Sequence, residues 1–170
     1  MKSFKQMWVA AGVALLVVPV LSAAADLSPE LSLEIRQAVV TWLECEECTD
    51  GELDALARYG ELAVPTLGAA LERGPSPATL EKYRMHLEST YQKMVEYSRT
   101  HEEIKLDQSQ DEYVKMYLES YRANYAVRAA QALGKAGGRE ATRYLDAASK
   151  RKTREDVDAA VQEAAKGVAR

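Results

Sequence analysis

Residues 124–148 constrain the fold more than any other stretch of this 170-residue chain. Asn124 to Gly134 reads as a helix rich in small residues; Gly137-Gly138 interrupts it, and a short second helix follows at once. The apolar stripe is narrow, with Ala129 and Leu133 on the first arm and Ala141, Tyr144, Leu145 and Ala148 on the second. A pair this small cannot bury its stripe alone. It must stack on a similar pair, which is the packing logic of an α-solenoid.

The rest of the sequence agrees with an all-α fold. Strand signals are almost absent after residue 25, and apolar residues recur at three-to-four spacing. Ser28-Pro29 predicts a capped helix start with Leu31, Ile35, Ala38, Val39 and Trp42 on one face. Thr49-Asp50-Gly51-Glu52 is a capping box that opens a short helix carrying Leu53, Leu56 and Ala57, with Gly60 as its stop. The next helix begins at Ala63-Val64-Pro65, points Leu67 and Leu71 inward, and ends at Gly74-Pro75. Ser76-Pro77 starts a long helix whose stripe is Leu80, Tyr83, Leu87, Tyr91, Met94 and His101. Ser109-Gln110-Asp111-Glu112 is a second capping box, and a helix is expected from there to Ala136. Thr153 with Asp156 is expected to cap the last helix, with Val157, Ala160, Val161, Ala164, Ala165 and Val168 inward. The count is about seven helices, in a single domain over 26–170.

Residues 1–25 read differently. Lys2 and Lys5 precede an apolar run from Trp8 to Leu21, and Ser22-Ala23-Ala24-Ala25 offers an A-x-A-like cut site. This is the pattern of a signal peptide cleaved after Ala25. The run is shorter than the roughly 20 residues a membrane span needs. Met7 and the alanines bring it near that length, so an uncleaved anchor is the alternative. Export places the mature chain in the periplasm or outside the cell. Without Lys2 and Lys5 it holds 20 basic and 26 acidic residues, an acidic balance that argues against a nucleic-acid partner.

Two segments carry a family resemblance. Ala63-Val64-Pro65-Thr66-Leu67-Gly68-Ala69-Ala70-Leu71 is similar to the first helix of a HEAT-type repeat. Val127-Arg128-Ala129-Ala130-Gln131-Ala132-Leu133-Gly134 resembles the second, and Arg139 to Gly167 resembles one further repeat. The resemblance implies an α-solenoid-like stack of helix pairs. It carries no catalytic residue, because what such repeats share is structural. One departure stands out: about fifty residues, Ser76 to Tyr125, separate the two matched helices. They read as a long helical hairpin, 76–125, inserted into the stack, or as arms that themselves replace repeat helices.

Cys45 and Cys48 are the chain's two cysteines. Thr49 stands where a c-type haem site needs His, the βαβ setting of a thioredoxin motif is missing, and zinc would want four ligands. A disulfide in an oxidising compartment is the reading adopted. Glu44, Glu46, Glu47, Asp50 and Glu52 surround the pair and disfavour a thiolate. With Asp54 they supply oxygen ligands of a kind calcium accepts, but their spacing is not that of an EF-hand, and a solvated acidic face is the simpler expectation. No cofactor and no metal site is expected.

Tyr113, Tyr117, Tyr121 and Tyr125 step by four along one helix, opposite Tyr83 and Tyr91. They form either an aromatic hairpin seam, which is favoured, or a groove for a partner. His86 and His101 read as surface or edge residues. Charge is segregated: residues 26–75 hold eleven acidic and three basic side chains, whereas 122–154 hold nine basic and two acidic. That asymmetry suits an acidic partner, or head-to-tail self-association. The candidate partner-binding residues are Tyr113, Tyr117, Tyr121, Arg122, Arg139 and Arg143. The expected function is a non-enzymatic protein–protein interaction module; the alternative is thiol-redox or metal handling through Cys45-x-x-Cys48.

Overall fold

A computed structural model describes residues 29–45, 47–101, 103 and 105–168. The expected signal peptide and its cut at Ala25, the Ser28 cap and Glu46 lie outside these residues. The described residues form seven α-helices and one 3-10 turn, with no strand among them. In chain order the helices are α1 (Pro29–Glu44), α2 (Asp50–Ala57), α3 (Val64–Arg73), α4 (Pro77–Ser98), α5 (Gln110–Ala136), α6 (Gly138–Ser149) and α7 (Glu155–Val168). The 3-10 turn, Gly60–Leu62, sits between α2 and α3.

Local chemistry sets the helix ends. Thr49 and Glu52 cap α2 reciprocally, and Ser109 and Glu112 do the same for α5. The Ser109 amide donates to the Glu112 carboxylate at 2.8 Å, and that bond holds the Glu112 carboxyl below its ordinary range. Ser76 accepts from the Thr79 amide at 3.0 Å, and Pro77 occupies the first turn of α4 where its missing N–H costs nothing. Three expectations need correction. The Thr153 amide and hydroxyl both donate to Asp158 rather than Asp156, because Asp156 is held by the Arg154 guanidinium. His101 lies beyond the end of α4 and stacks on Tyr97 at 3.8 Å, so it leaves the α4 stripe. Gly60, expected to stop α2, instead opens the 3-10 turn at a positive φ of 51°.

α5 is the spine. It packs against α1, α2, α3, α4, α6 and α7. Its C-terminal half pairs with α3 and α7, α6 packs on α7, and α3 touches α6. The main core runs through all of these except α4: Ile35 and Val39 of α1, Leu56 of α2, Leu67 of α3, Leu133 of α5, Leu145 of α6 and Val161 of α7 are buried together. A second, smaller cluster lies outside it, where Leu87 of α4 meets Tyr113 and Val114 of α5. The insertion expected over 76–125 therefore splits. Its α4 arm and the start of α5 form their own seam, while Ala123 and Tyr125 already belong to the main core.

Two glycines let helices approach. A Cβ on Gly134 would lie 2.9 Å from both Cα and Cβ of Ala164, so α5 and α7 touch almost backbone to backbone there. A Cβ on Gly68 would lie 2.4 Å from the Tyr144 ring, which lies on α3 at that point.

Candidate interaction surface

The tyrosine ladder is a seam over most of its length. Tyr83 stacks on Tyr121 with centroids 4.4 Å apart, and Tyr91 meets Tyr113 at 5.5 Å. The partners climb α4 as they descend α5, so the arms are antiparallel. The Tyr91 hydroxyl donates to the Gln108 carbonyl at 2.7 Å and ties the tip of the hairpin. Tyr113 is only 7% exposed and packs with Leu87. Tyr117, 39% exposed, is the rung that faces outward, and Tyr121 is half-buried. The hairpin seam favoured in the sequence is what the rings make, with Tyr117 left at its edge.

Burial raises the phenols. Tyr121 is pushed up to about 12, first by burial and then by Glu44, Tyr125 and Tyr83, against a smaller opposing effect of Arg128. Burial is also the main cause that raises Tyr113 and Tyr125. A phenol whose folded pKa lies above the unfolded value of about 10 binds its proton more tightly when folded, so its contribution is complete below pH 10. As pH rises from 10 towards 12, the unfolded chain gives up protons that the folded chain keeps, and stability falls. Denaturant melts across that window should show a falling midpoint, and Tyr121→Phe should flatten the fall. An unchanged midpoint would mean that the rings are solvated.

Next to this seam lies a cleft of about 340 Å³ at the C-terminal end of α1. Arg128, from α5, points its guanidinium at the Trp42 and Leu43 carbonyls, 3.4 and 3.5 Å away. Those carbonyls lack helical partners and carry the negative end of the α1 dipole, so a cation is favoured there. Trp42 answers by donating its indole N–H to the Arg128 carbonyl at 3.0 Å. Sequence reading saw Val127-Arg128 as part of a repeat-like core but missed this role, because Trp42 stands 86 residues away. Cys45 lines the same cleft. Cys45 and Cys48 stand at disulfide distance, with Cα atoms 5.7 Å apart, at the turn joining α1 to α2.

The acidic residues around them do other things. Glu52 caps α2, and Asp54 pairs with Lys135 of α5 at 2.9 Å. Among the described residues no three Asp, Glu, His or Cys side chains come together as a cation site. No described helix is long and apolar enough to cross a membrane.

The candidate arginines do not share one surface. Arg139 and Arg143 lie on the outer face of α6, where Arg143 pairs with Glu140 at 3.0 Å. Arg122 projects from the middle of α5, on a ridge between two grooves. One groove has Leu71, Ala126, Val157 and Val161 in its wall and Arg151 and Arg154 at its margin. The other lies between α1, α3 and α4. Arg122, Arg139, Lys150, Arg151 and Lys152 are exposed and make no ion pair among the described residues. Basic side chains thus concentrate around α5, α6 and the α6–α7 turn, as the charge count anticipated. Comparison with known proteins supplies no assignment: no protein family, no curated protein and no solved structure matches this chain.

Proposed function

We propose that this is an exported, non-enzymatic protein–protein interaction module of the periplasm or cell exterior, built as a HEAT-like stack, that binds an acidic protein partner. The observation that carries this reading is the set of exposed cations without ion pairs: Arg122 and Arg151 line open grooves beside α5, the latter near Glu72 and Glu119, Arg139 and Lys150 line a depression on α6, and Lys152 stands in the α6–α7 turn. Unpaired surface cations add little to stability, whereas they attract and orient a partner of opposite charge. The stack reading is supported by the pairing of α3 with the end of α5, the pairing of α6 with α7, and the two glycine contacts between these pairs. Head-to-tail contact with the acidic α1–α3 region of a second copy is a further use of the same asymmetry.

The test uses immobilised mature protein and extract of its own compartment. An acidic partner should be retained at about 50 mM salt and released at several hundred millimolar, as the screening length drops below roughly 5 Å. The triple reversal Lys150→Glu, Arg151→Glu, Lys152→Glu should abolish retention while helicity is unchanged. Retention that ignores both salt and the triple reversal would refute the reading.

In this account Cys45–Cys48 braces the α1–α2 turn. A bridge closing a four-residue loop restricts the unfolded chain by only about 2 kcal/mol. Replacing both cysteines with serine should therefore lower the melting temperature by no more than about 8 °C and leave partner retention intact. Rapid exchange of the bridge with glutathione, together with lost retention in the double variant, would favour the thiol-redox alternative.

A further inference from the structure

The groove between α1, α3 and α4 has an unusual lining for this protein. Its volume is about 730 Å³, within the range of roughly 300–1,000 Å³ typical of ligand sites. Val40, Leu43, Ala69 and Leu80 give it an apolar floor. The charged residues that line it are Arg73, near the end of α3, and Arg122, from the middle of α5, and both are cations. Neither makes an ion pair or a side-chain hydrogen bond among the described residues. This groove is cut into the side of a chain whose residues 26–75 carry eleven acidic side chains, yet none of the described ones lines it.

The groove is also preformed. One wall is the turn Gly74-Pro75-Ser76-Pro77. Gly74 takes a positive φ of 70°, two prolines fix their own φ, and Ser76 is engaged as the α4 cap. A wall that loses little freedom on binding lowers the cost of capturing a ligand.

We infer that this groove binds a short acidic segment of a partner protein: an apolar side chain over Val40 and Leu80, flanked by two carboxylates that pair with Arg73 and Arg122. Two cations from different helices, lining one groove with an apolar floor, suit a ligand with two anionic groups and an apolar group. A peptide supplies that pattern and a single-headed fatty acid does not. Guanidinium groups take carboxylates in two-pronged pairs, which fixes the register of the segment. The inference rests on the interaction-module reading and names the ligand chemistry of one of its grooves.

The test is an array of fluorescein-labelled twelve-residue peptides, read by fluorescence anisotropy. Each peptide carries two glutamates at a varied separation around one leucine or phenylalanine, in a glycine–serine background. At least one spacing should bind, and its glutamine counterpart should bind about tenfold more weakly. Arg73→Glu/Arg122→Glu and, separately, Val40→Glu should each abolish binding while circular dichroism stays unchanged, because all three side chains are exposed. Failure of every spacing overturns the inference, as does binding unaffected by the arginine reversals. Dodecanoate displacing every peptide would overturn it in favour of a lipid-like ligand. A dimer that Arg73→Glu/Arg122→Glu dissociates would overturn it in favour of a second copy. Should the array fail while salt-sensitive partner retention persists, this groove is not the site and the module reading stands; should both fail, the module reading falls as well.

Discussion

Leu133→Asp will unfold the main core. Leu133 is 0% exposed and shares the main core with residues of α3, α6 and α7, and no polar or charged side chain is buried among the described residues to receive a carboxylate. Removing the leucine side chain alone costs about 2–5 kcal/mol. Holding a carboxylate in the same place adds several kcal/mol, whether the group stays ionised or shifts its pKa to become neutral. A domain of this size has roughly 5–15 kcal/mol of stability in total, so the sum exceeds most of that range. Circular dichroism should show loss of cooperative melting at 25 °C. Leu133→Ala, by contrast, should stay folded with a lowered midpoint, which separates the charge from the cavity. An aspartate variant melting close to the parent would place α5 on the surface.

Gly134→Val should come next in severity, for a different reason. Even one carbon at this position meets the Ala164 backbone at 2.9 Å and its carbonyl at 3.2 Å. Helix propensity alone would make alanine about 1 kcal/mol better than glycine here. The steric term opposes that gain and outweighs it, because the neighbour is backbone and cannot rotate away. α7 would have to lift, and Val157 and Val161 would lose their places in the core. Overpacking usually costs about 1–3 kcal/mol, and valine, with two further methyl groups, belongs at the top of that range or beyond. Denaturant melts of Gly134→Ala, Gly134→Val and Gly134→Ala/Ala164→Gly decide the point. The third should recover part of the loss, as a direct contact requires. A Gly134→Ala variant more stable than the parent would show that the helices do not touch.

What could be read from the sequence is what depends on neighbours in the chain. Ser76-Pro77 and the two capping boxes gave helix starts because a cap spans only three or four residues. The α7 stripe was legible because Val157, Val161 and Ala164 repeat at helical spacing. The α7 cap was missed because Asp156, three residues from Thr153, stands at the usual capping-box spacing, whereas Asp158, five residues away, makes the contact; only the Arg154 contact shows that Asp156 is already engaged. Trp42 with Arg128 and Gly68 with Tyr144 are meetings of distant segments, and nothing local announces them. The candidate surface followed the same division. The tyrosine spacing and the basic count were visible in the sequence. That Tyr113 is enclosed, that Arg139 and Arg122 line different grooves, and that Arg73 lines the same groove as Arg122 are consequences of how α5 lies among its neighbours.

The central claim is that the end of α5 joins α3, α6 and α7 in one shared interior, with the α4 seam as a separate, weaker unit. Native-state hydrogen exchange in rising denaturant measures this directly, since each cooperative unit opens with its own free energy. Buried amides of α3, residues 127–136, α6 and α7 should converge on a single opening at the global stability, and those of α4 should open below it. Separate openings for α6–α7 and for α3, with no common limit, would contradict the account.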